Sequence, residues 1–386
     1  MTSRSPSRWF RFNCWLHRWT SLVATPFFLV LCLTGTVLIF HEEIDDLLGV
    51  VPEVEADPAT QRPIADSVAR VLAAFPDERV GSVSIDPENH PGVLLVATLP
   101  NDGAGDFNDA SLRFTDLTSG EPIDARDPSK SLTGVLLELH AQWFLGPFGE
   151  LFGALIALLV LLSLLSGLVV YAPYARRVAF GMLRRGRGAR ILQIDLHNLI
   201  GTAVLGWALV VTVTGLLLGF STLAIGIWQA TELAGLRAHA DGLEPVDVRN
   251  PPVDVDRAFA AARASAPPGW KVVTAIFPGT QFSTPRHYTV LLEGTEGIEQ
   301  RLFRVAAIDA ATGEVAAAVA PPAYLKAIVL SQPLHFGDYG GLPLKLLWTA
   351  CTWLTLFITA NGAWLWWDRR RRRRRMPVRF EEEVAA

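Results

Sequence analysis

Four stretches of the chain stay apolar for about 20 residues, the length a helix needs to cross the hydrocarbon core of a bilayer. They run roughly over 21–40, 151–171, 199–220 and 344–367. Lys345 is the one charge inside them, close enough to an end for its ammonium to snorkel to the interface. The first run is too long for a signal-peptide core and has no small-residue cleavage site before "HEEIDD". It predicts a retained signal anchor.

Between the runs the polar pattern changes period. "IADSVARVLAAFPDERVGSVSI" (64–85) and "VDVDRAFAAARASAPPGWKVVTAIF" (253–277) each predict an amphipathic helix followed by a strand. Each leads into a strand-like stretch, "GVLLVATL" and "HYTVLLEG", and then into "RFTDLTSGEPI" and "RVAAIDAATGEVAAA". The last two share an apolar strand, an Asp and a following Gly-Glu, at Asp116 with Gly120 and at Asp309 with Gly313. Gly suits a turn that needs positive φ and Asp suits a side-chain-capped turn, so a structural role is expected for both.

The spans repeat as well. Four of the eight histidines follow a leucine at the start of an apolar run: His17, His140, His197 and His335. Each run contains a later glycine. His17 to Gly35 and His197 to Gly215 are both 18 residues, while His140 to Gly167 and His335 to Gly362 are both 27. The glycine contexts rhyme, "LTGTVLIF" with "VTGLLLGF" and "LSGLVVY" with "ANGAWLW". A two-span unit with an outer loop is predicted to be doubled, over about 11–174 and 193–368.

Charge orients the spans. Arg4, Arg8, Arg11 and Arg18 precede the first one. Arg176, Arg177, Arg184, Arg185, Arg187 and Arg190 stand against Asp195 alone between the second and third, and Arg369–Arg375 follow the fourth. With four spans these segments share one side, the cytoplasm by the positive-inside rule. The loops over 42–138 and 221–333 then face outward, and the first is strongly acidic, which suits a soluble domain. Half of the residues are hydrophobic and only 19% charged, as expected of a membrane protein. The net charge of −4 averages these opposed regions. The arginine run abuts "WLWW" and reads as a stop-transfer anchor, so no nucleic-acid partner is expected. Cys14, Cys32 and Cys351 lie in or beside spans and cannot staple the outer loops. There is no C-x-x-C-H for covalent haem, and no G-x-G-x-x-G follows a strand.

Leu-His-led spans, a late span glycine and outer modules ending in "DAATGE" resemble the PepSY-associated transmembrane family over nearly the whole chain. The resemblance implies an α-helical membrane bundle of four transmembrane helices, a duplicated two-helix unit, with two α+β PepSY-like extracytoplasmic modules. The expected layout is a cytoplasmic segment and first span (1–41), module 1 (42–138), an outer His segment and second span (139–171), a basic cytoplasmic loop (172–196), the third span (197–220), module 2 (221–333), an outer His segment and fourth span (334–367) and an Arg-rich tail (368–386). Both termini would be cytoplasmic, in a bacterial inner membrane. Members of the family include ferric-siderophore reductases of bacterial inner membranes, some with two haems b.

The histidines are compatible with that chemistry. Chain direction alternates, so His17 and His197 are expected at the cytoplasmic side and His140 and His335 at the outer side. Two axial imidazoles per face match two six-coordinate haem b irons. In a straight helix 18 residues make five whole turns, which puts Gly35 on the face of His17 and Gly215 on that of His197. The expectation is that spans one and three ligate an inner haem and clear room for an outer one with Gly35 and Gly215. Spans two and four would do the reverse with Gly167 and Gly362. "GPFG" and "GDYGGLP" break any continuous helix after His140 and His335, which are therefore expected on interfacial segments. His41 is a third candidate at the outer site, as ligand, proton carrier or interfacial cap. Arg11 and Arg18 are candidates for haem propionates. His90, His239 and His287 read as surface residues.

The resulting expectation is a haem-dependent oxidoreductase. Electrons would come from a separate cytoplasmic reductase or a quinol and pass to a periplasmic acceptor, with the resemblance pointing to a ferric siderophore. Two alternatives remain at this level: a non-enzymatic membrane protein whose outer modules bind a peptide or partner, and a siderophore transporter. Transport is disfavoured because the spans lack the buried charges and broken mid-membrane helices of substrate paths.

Overall fold

The computed structural model describes residues 7–54, 60–103, 105–231, 234–235, 240 and 242–375. Two compact units are interleaved along the chain. One comprises 1–40, 137–220 and 331–386, and the other 41–136 and 221–330.

The first unit is helical. Its helices are α1 (Arg8–Leu38), then α4 (Leu132–Gln142) leading into α5 (Pro147–Ala175), while α2 (His41–Leu48) and α3 (Ile64–Ala74) follow α1 in the chain and belong to the other unit. After these come α6 (Ala189–Ala203) and α7 (Leu205–Leu218). Helix α8 (Ser221–Ala230) and α9 (Val255–Ser265) belong to the second unit, and α10 (Ala323–Phe336) leads into α11 (Gly341–Arg375). The Ser7 hydroxyl caps α1 by accepting from the Phe10 amide at 3.2 Å. Pro147 opens α5 after Gly146 at φ +56°, because proline fits a helix's first turn and glycine tolerates the left-handed entry.

Three helices, α1, α5 and α11, are long and apolar enough to cross a membrane, and α6 with α7 passes the same test as a pair bent by 65°. Helix α1 packs against α5 and α11, α5 against α7, and α6 against α11. Ala24 of α1 meets Ile156 and Val160 of α5 in a small apolar core edged by Phe27, Phe28 and Leu31. Leu155, Leu158, Leu165, Trp353 and Phe357 stay exposed. Exposed leucine and aromatic rings along helices of this length imply a lipid bilayer around them.

Three expectations fail here. The third span is not one straight helix: it breaks at Val204, between α6 and α7. The five-turn argument from His197 to Gly215 therefore does not hold, although His17 and Gly35 do share the continuous α1. Lys345 is buried, 5% exposed, rather than snorkelling outward. Asp195 is buried too, where the Arg184 guanidinium, the Arg184 amide and the Tyr174 hydroxyl all donate to its carboxylate. A broken span and buried charges are thus present, contrary to the argument against transport.

The second unit holds an eight-stranded sheet, antiparallel throughout, in the order β4-β3-β2-β1-β5-β6-β7-β8. The strands are β1 (Glu78–Asp86), β2 (His90–Pro100), β3 (Ser111–Asp116), β4 (Pro122–Ile123), β5 (Trp270–Ile276), β6 (His287–Gly294), β7 (Phe303–Asp309) and β8 (Val315–Val319). The two sequence modules join as one sheet through β1 and β5, with Ser82 opposite Ile276 and Ser84 opposite Thr274. Each half carries a register shift at the same place, Val80/Ser82 in β1 and Val272/Thr274 in β5. Val71 of α3 and Ala258, Phe259 and Ala262 of α9 join Val83, Leu94, Val290 and Ile308 of the sheet in one core. The Asp256 carboxylate accepts from the Ile64 and Ala65 amides at 2.9 and 2.8 Å, so a side chain of α9 caps α3.

The two Asp-Gly turns are capped as expected. Gly120 and Gly313 have φ +76° and +83°. Asp116 accepts from the Thr118 amide, and Asp309 from those of Ala311 and Thr312. His287 is not a surface residue: it is fully buried on β6, its Nδ1 2.9 Å from the Thr284 hydroxyl. It opens β6, an interior strand flanked by β5 and β7, where it pairs with Asp309 at the end of β7. His90 is half-buried at the start of β2, and His239 lies outside the described residues.

Burial pushes the Asp309 carboxyl up, but the Arg286 guanidinium at 3.0 Å and the turn amides outweigh it and hold it below the usual carboxylate range. A depressed folded-state pKa adds stability above the unfolded value of about 3.9, and that stability is lost as pH falls through the folded value. Asp309→Asn should therefore lower the melting temperature of the full chain near pH 7, and the gap to the wild type should close below about pH 4.

Candidate functional site: two histidine pairs in the helical unit

Each Leu-His segment places its imidazole against a glycine on a neighbouring helix. A Cβ added to Gly35 of α1 would lie 3.2 Å from Cε1 of His140, and one on Gly215 of α7 would lie 2.9 Å from Cε1 of His335. The same holds for Gly167 of α5 against His17, at 3.0 Å, and for Gly362 of α11 against His197, at 3.4 Å. The pairing is reciprocal: α1 gives a histidine to the glycine of α5, and α5's leading segment gives one to the glycine of α1. The helices α6–α7 and α10–α11 exchange theirs in the same way. The group that each of these glycines faces is an imidazole.

The rings are oriented by Nδ1. His17 Nδ1 is 2.8 Å from the Ser163 carbonyl, and His335 Nδ1 is 3.0 Å from that of Val211. A carbonyl only accepts, so Nδ1 carries the proton in both. His140 Nδ1 is 2.8 Å from the Thr34 hydroxyl and also faces the Leu31 carbonyl. The Thr34 hydroxyl already donates to the Val30 carbonyl, so it accepts from His140. Leu31, Ser163 and Val211 each lie four residues before their glycine. At the fourth site the equivalent carbonyl is that of Ile358, which lies near His197, but His197 Nδ1 is buried without a hydrogen bond of normal length and angle among the described residues. Nε2 of all four rings makes no hydrogen bond among the described residues.

Sequence reasoning had the histidines and glycines but missed the polar residue that precedes each glycine. Thr34, Ser166, Thr214 and Asn361 are all buried. The Thr34, Ser166 and Thr214 hydroxyls bond back to the preceding turn of their own helices. The signal was visible in the rhyme of T-G, S-G, T-G and N-G.

The rings gather in two pairs. His140 and His335 have ring centroids 6.3 Å apart with planes at 65°. His17 and His197, on helices α1 and α6 that both pack against α11, make up the other pair. His140 ends α4 and His335 ends α10, each just before a break in the chain, as the sequence suggests. After His140 the break is tight, with Trp143 and Phe144 at φ +52° and +56°. Trp143 packs edge-on against Phe27 and Phe152, and this packing holds a conformation that bulky residues avoid. His41 opens α2 in the other unit and is not part of the His140–His335 ring pair. Arg18 lies over the Trp19 ring, 5.4 Å from its centroid. No group of three or more His, Cys, Asp or Glu suited to a metal ion occurs among the described residues.

Residues 14–369 match the family described as the PepSY-associated TM region. The chain belongs to the PepSY-associated transmembrane family. Over 276 residues it is also 27% identical to the uncharacterized protein PA4219 of Pseudomonas aeruginosa, across 65% of this chain and 67% of that protein. The family match takes in all four histidines and all four glycines.

The close approach of glycine and ring differs among the sites, and substitutions should read this out. Gly215→Ala puts a methyl group into the His335 ring and should destabilise the chain by roughly 1–3 kcal/mol in thermal unfolding. Gly362→Ala meets His197 at an ordinary distance and should be neutral or stabilising by up to about 1 kcal/mol, because alanine favours the helix.

Proposed function

We propose that this member of the family is a transmembrane electron carrier with two non-covalent haem b groups, one held by His17 and His197 and the other by His140 and His335. The observation that carries the reading is the 6.3 Å between the His140 and His335 centroids. That separation leaves room for one metal ion between the rings, so both imidazoles could serve a single haem. The donor set agrees. Nδ1–H bonds fix the tautomer of His17, His140 and His335 and leave Nε2 as the free ligating nitrogen. Two histidines with no third ligand leave a bare metal ion under-coordinated, but suit a haem, whose macrocycle occupies the equatorial positions.

A haem bound at each pair would supply reversible one-electron redox chemistry. The protein's part is to hold the ring planes, keep the imidazoles neutral at Nε2 and exclude water with the surrounding apolar side chains. In this reading the helices form a duplicated four-span bundle in a bacterial inner membrane, with both termini cytoplasmic. His17 and His197 lie toward the cytoplasm, and His140 and His335 toward the outside. A separate cytoplasmic reductase or a quinol donates the electrons. The family resemblance supports ferric siderophore iron as the outer acceptor, reduced from Fe(III) to Fe(II), and the extracytoplasmic sheet unit is its recruiting surface. His41 adjoins the outer end of the first span as a further candidate contact.

One observation favours a second reading, siderophore transport: the 65° break in the third span, together with buried Asp195 and Lys345. A reduced-minus-oxidised absorption spectrum of the purified full chain separates the two. The electron carrier requires a haem b band near two haems per chain, and His17→Ala or His197→Ala should remove one haem and spare the other. A haem-free protein from haem-replete cells would end the proposal and leave transport standing.

A further inference from the structure

Three of the four histidine sites share one plan, and His197 departs from it. Its Nδ1 is buried without a hydrogen bond among the described residues, although the Ile358 carbonyl stands where the other sites provide an acceptor. A second orphan lies beside it. Asn361 is buried and precedes Gly362, whose added Cβ would be 3.9 Å from His197 Nδ1. The Asn361 Nδ2 donates to the Gln193 carbonyl at 3.0 Å, one turn before His197 on α6, while its Oδ1 has no partner. A bare buried donor and a bare buried acceptor therefore stand at adjoining positions. Each is expensive to leave unmade, and joining them removes both penalties.

The other sites show what this position does. Thr34 and Thr214, which precede the outer-site glycines, place hydroxyls 2.8 and 3.2 Å from the Nδ1 atoms of His140 and His335. Asn361 is the equivalent residue for His197, with an amide oxygen in place of a hydroxyl.

We propose that Asn361 is the positioning residue of His197: its Oδ1 accepts the Nδ1–H of this one ring and so sets the electron affinity of the inner site. This rests on the reading that His197 and His17 hold a haem. An Nδ1–H bond raises the basicity of Nε2 as a ligand, which stabilises the oxidised metal and lowers its potential. At His17 the nearest acceptor is a backbone carbonyl fixed by its helix. At His197 the acceptor is on a side chain, so the residue at 361 selects its strength.

The test compares the full-length wild type with Asn361→Val and Asn361→Thr, two variants of one shape that differ in a hydroxyl. Each is purified from haem-replete cells and titrated potentiometrically by its haem absorption. A wild type without haem would fail the underlying reading, and this is seen before any variant is examined. With haem present, Asn361→Val should raise the midpoint of one of the two components by roughly tenfold in its reduction equilibrium constant, about 59 mV for one electron, or lose that component. The other component should not move, and Asn361→Thr should restore the wild-type value. His17→Ala, which removes the inner component, identifies the one that shifts. The proposal is overturned if Asn361→Val titrates as the wild type does. It is equally overturned if the Val and Thr variants change alike, including loss of the same haem from both, because a purely structural role would not distinguish a hydroxyl from a methyl group.

Discussion

Room for an imidazole between two apolar helices is the constraint on which the helical unit depends. A histidine among membrane helices has no water to take its Nδ1–H, so leaving that donor unmet is costly. The chain answers with a short motif on the facing helix. A glycine lets the ring approach, and the turn before it presents a carbonyl or a hydroxyl to the ring nitrogen. The approach is close enough that a Cβ on Gly215 would sit 2.9 Å from His335. Helix separation, ring orientation and tautomer are thus set together.

The same economy governs the sheet unit. Two modules with helix-then-strand patterns each present a sheet edge, and the edges pair through β1 and β5 instead of remaining open. The Ser84 and Thr274 hydroxyls meet at 2.9 Å across that seam. The Asp256 carboxylate ties the helix of one half to the start of the helix of the other. With no disulfide among the described cysteines, this shared core and its polar ties hold the unit together.

Much of this was legible in the chain. Hydrophobic period located α1, α5 and α11, and the paired spacings singled out four histidines and four glycines, because both signals are local. The turns at Asp116 and Asp309 were legible for the same reason: a side chain capping its own turn needs only neighbours in sequence. What escaped were properties of encounter between distant segments. Gly201 and Gly206 flank the 65° break at Val204, but glycine is frequent in membrane spans and does not by itself mark a break. His287 looked polar and therefore exposed, yet it is buried at the start of an interior strand. The imidazole that faces each glycine was not legible, because spacing along one helix does not say which neighbour faces it.

The break at Val204 makes the two halves of the chain unequal as rulers. Along α1, the 18 residues from His17 to Gly35 measure about 27 Å. From His197 to Gly215 the same 18 residues turn a corner of 65°, and the direct path shortens to about 23 Å. One half therefore gauges the membrane with a straight edge and the other with a bent one. Identical spacing in the sequence yields different depths, and a segment copied from one half into the other would fit its neighbours in letters but not in length.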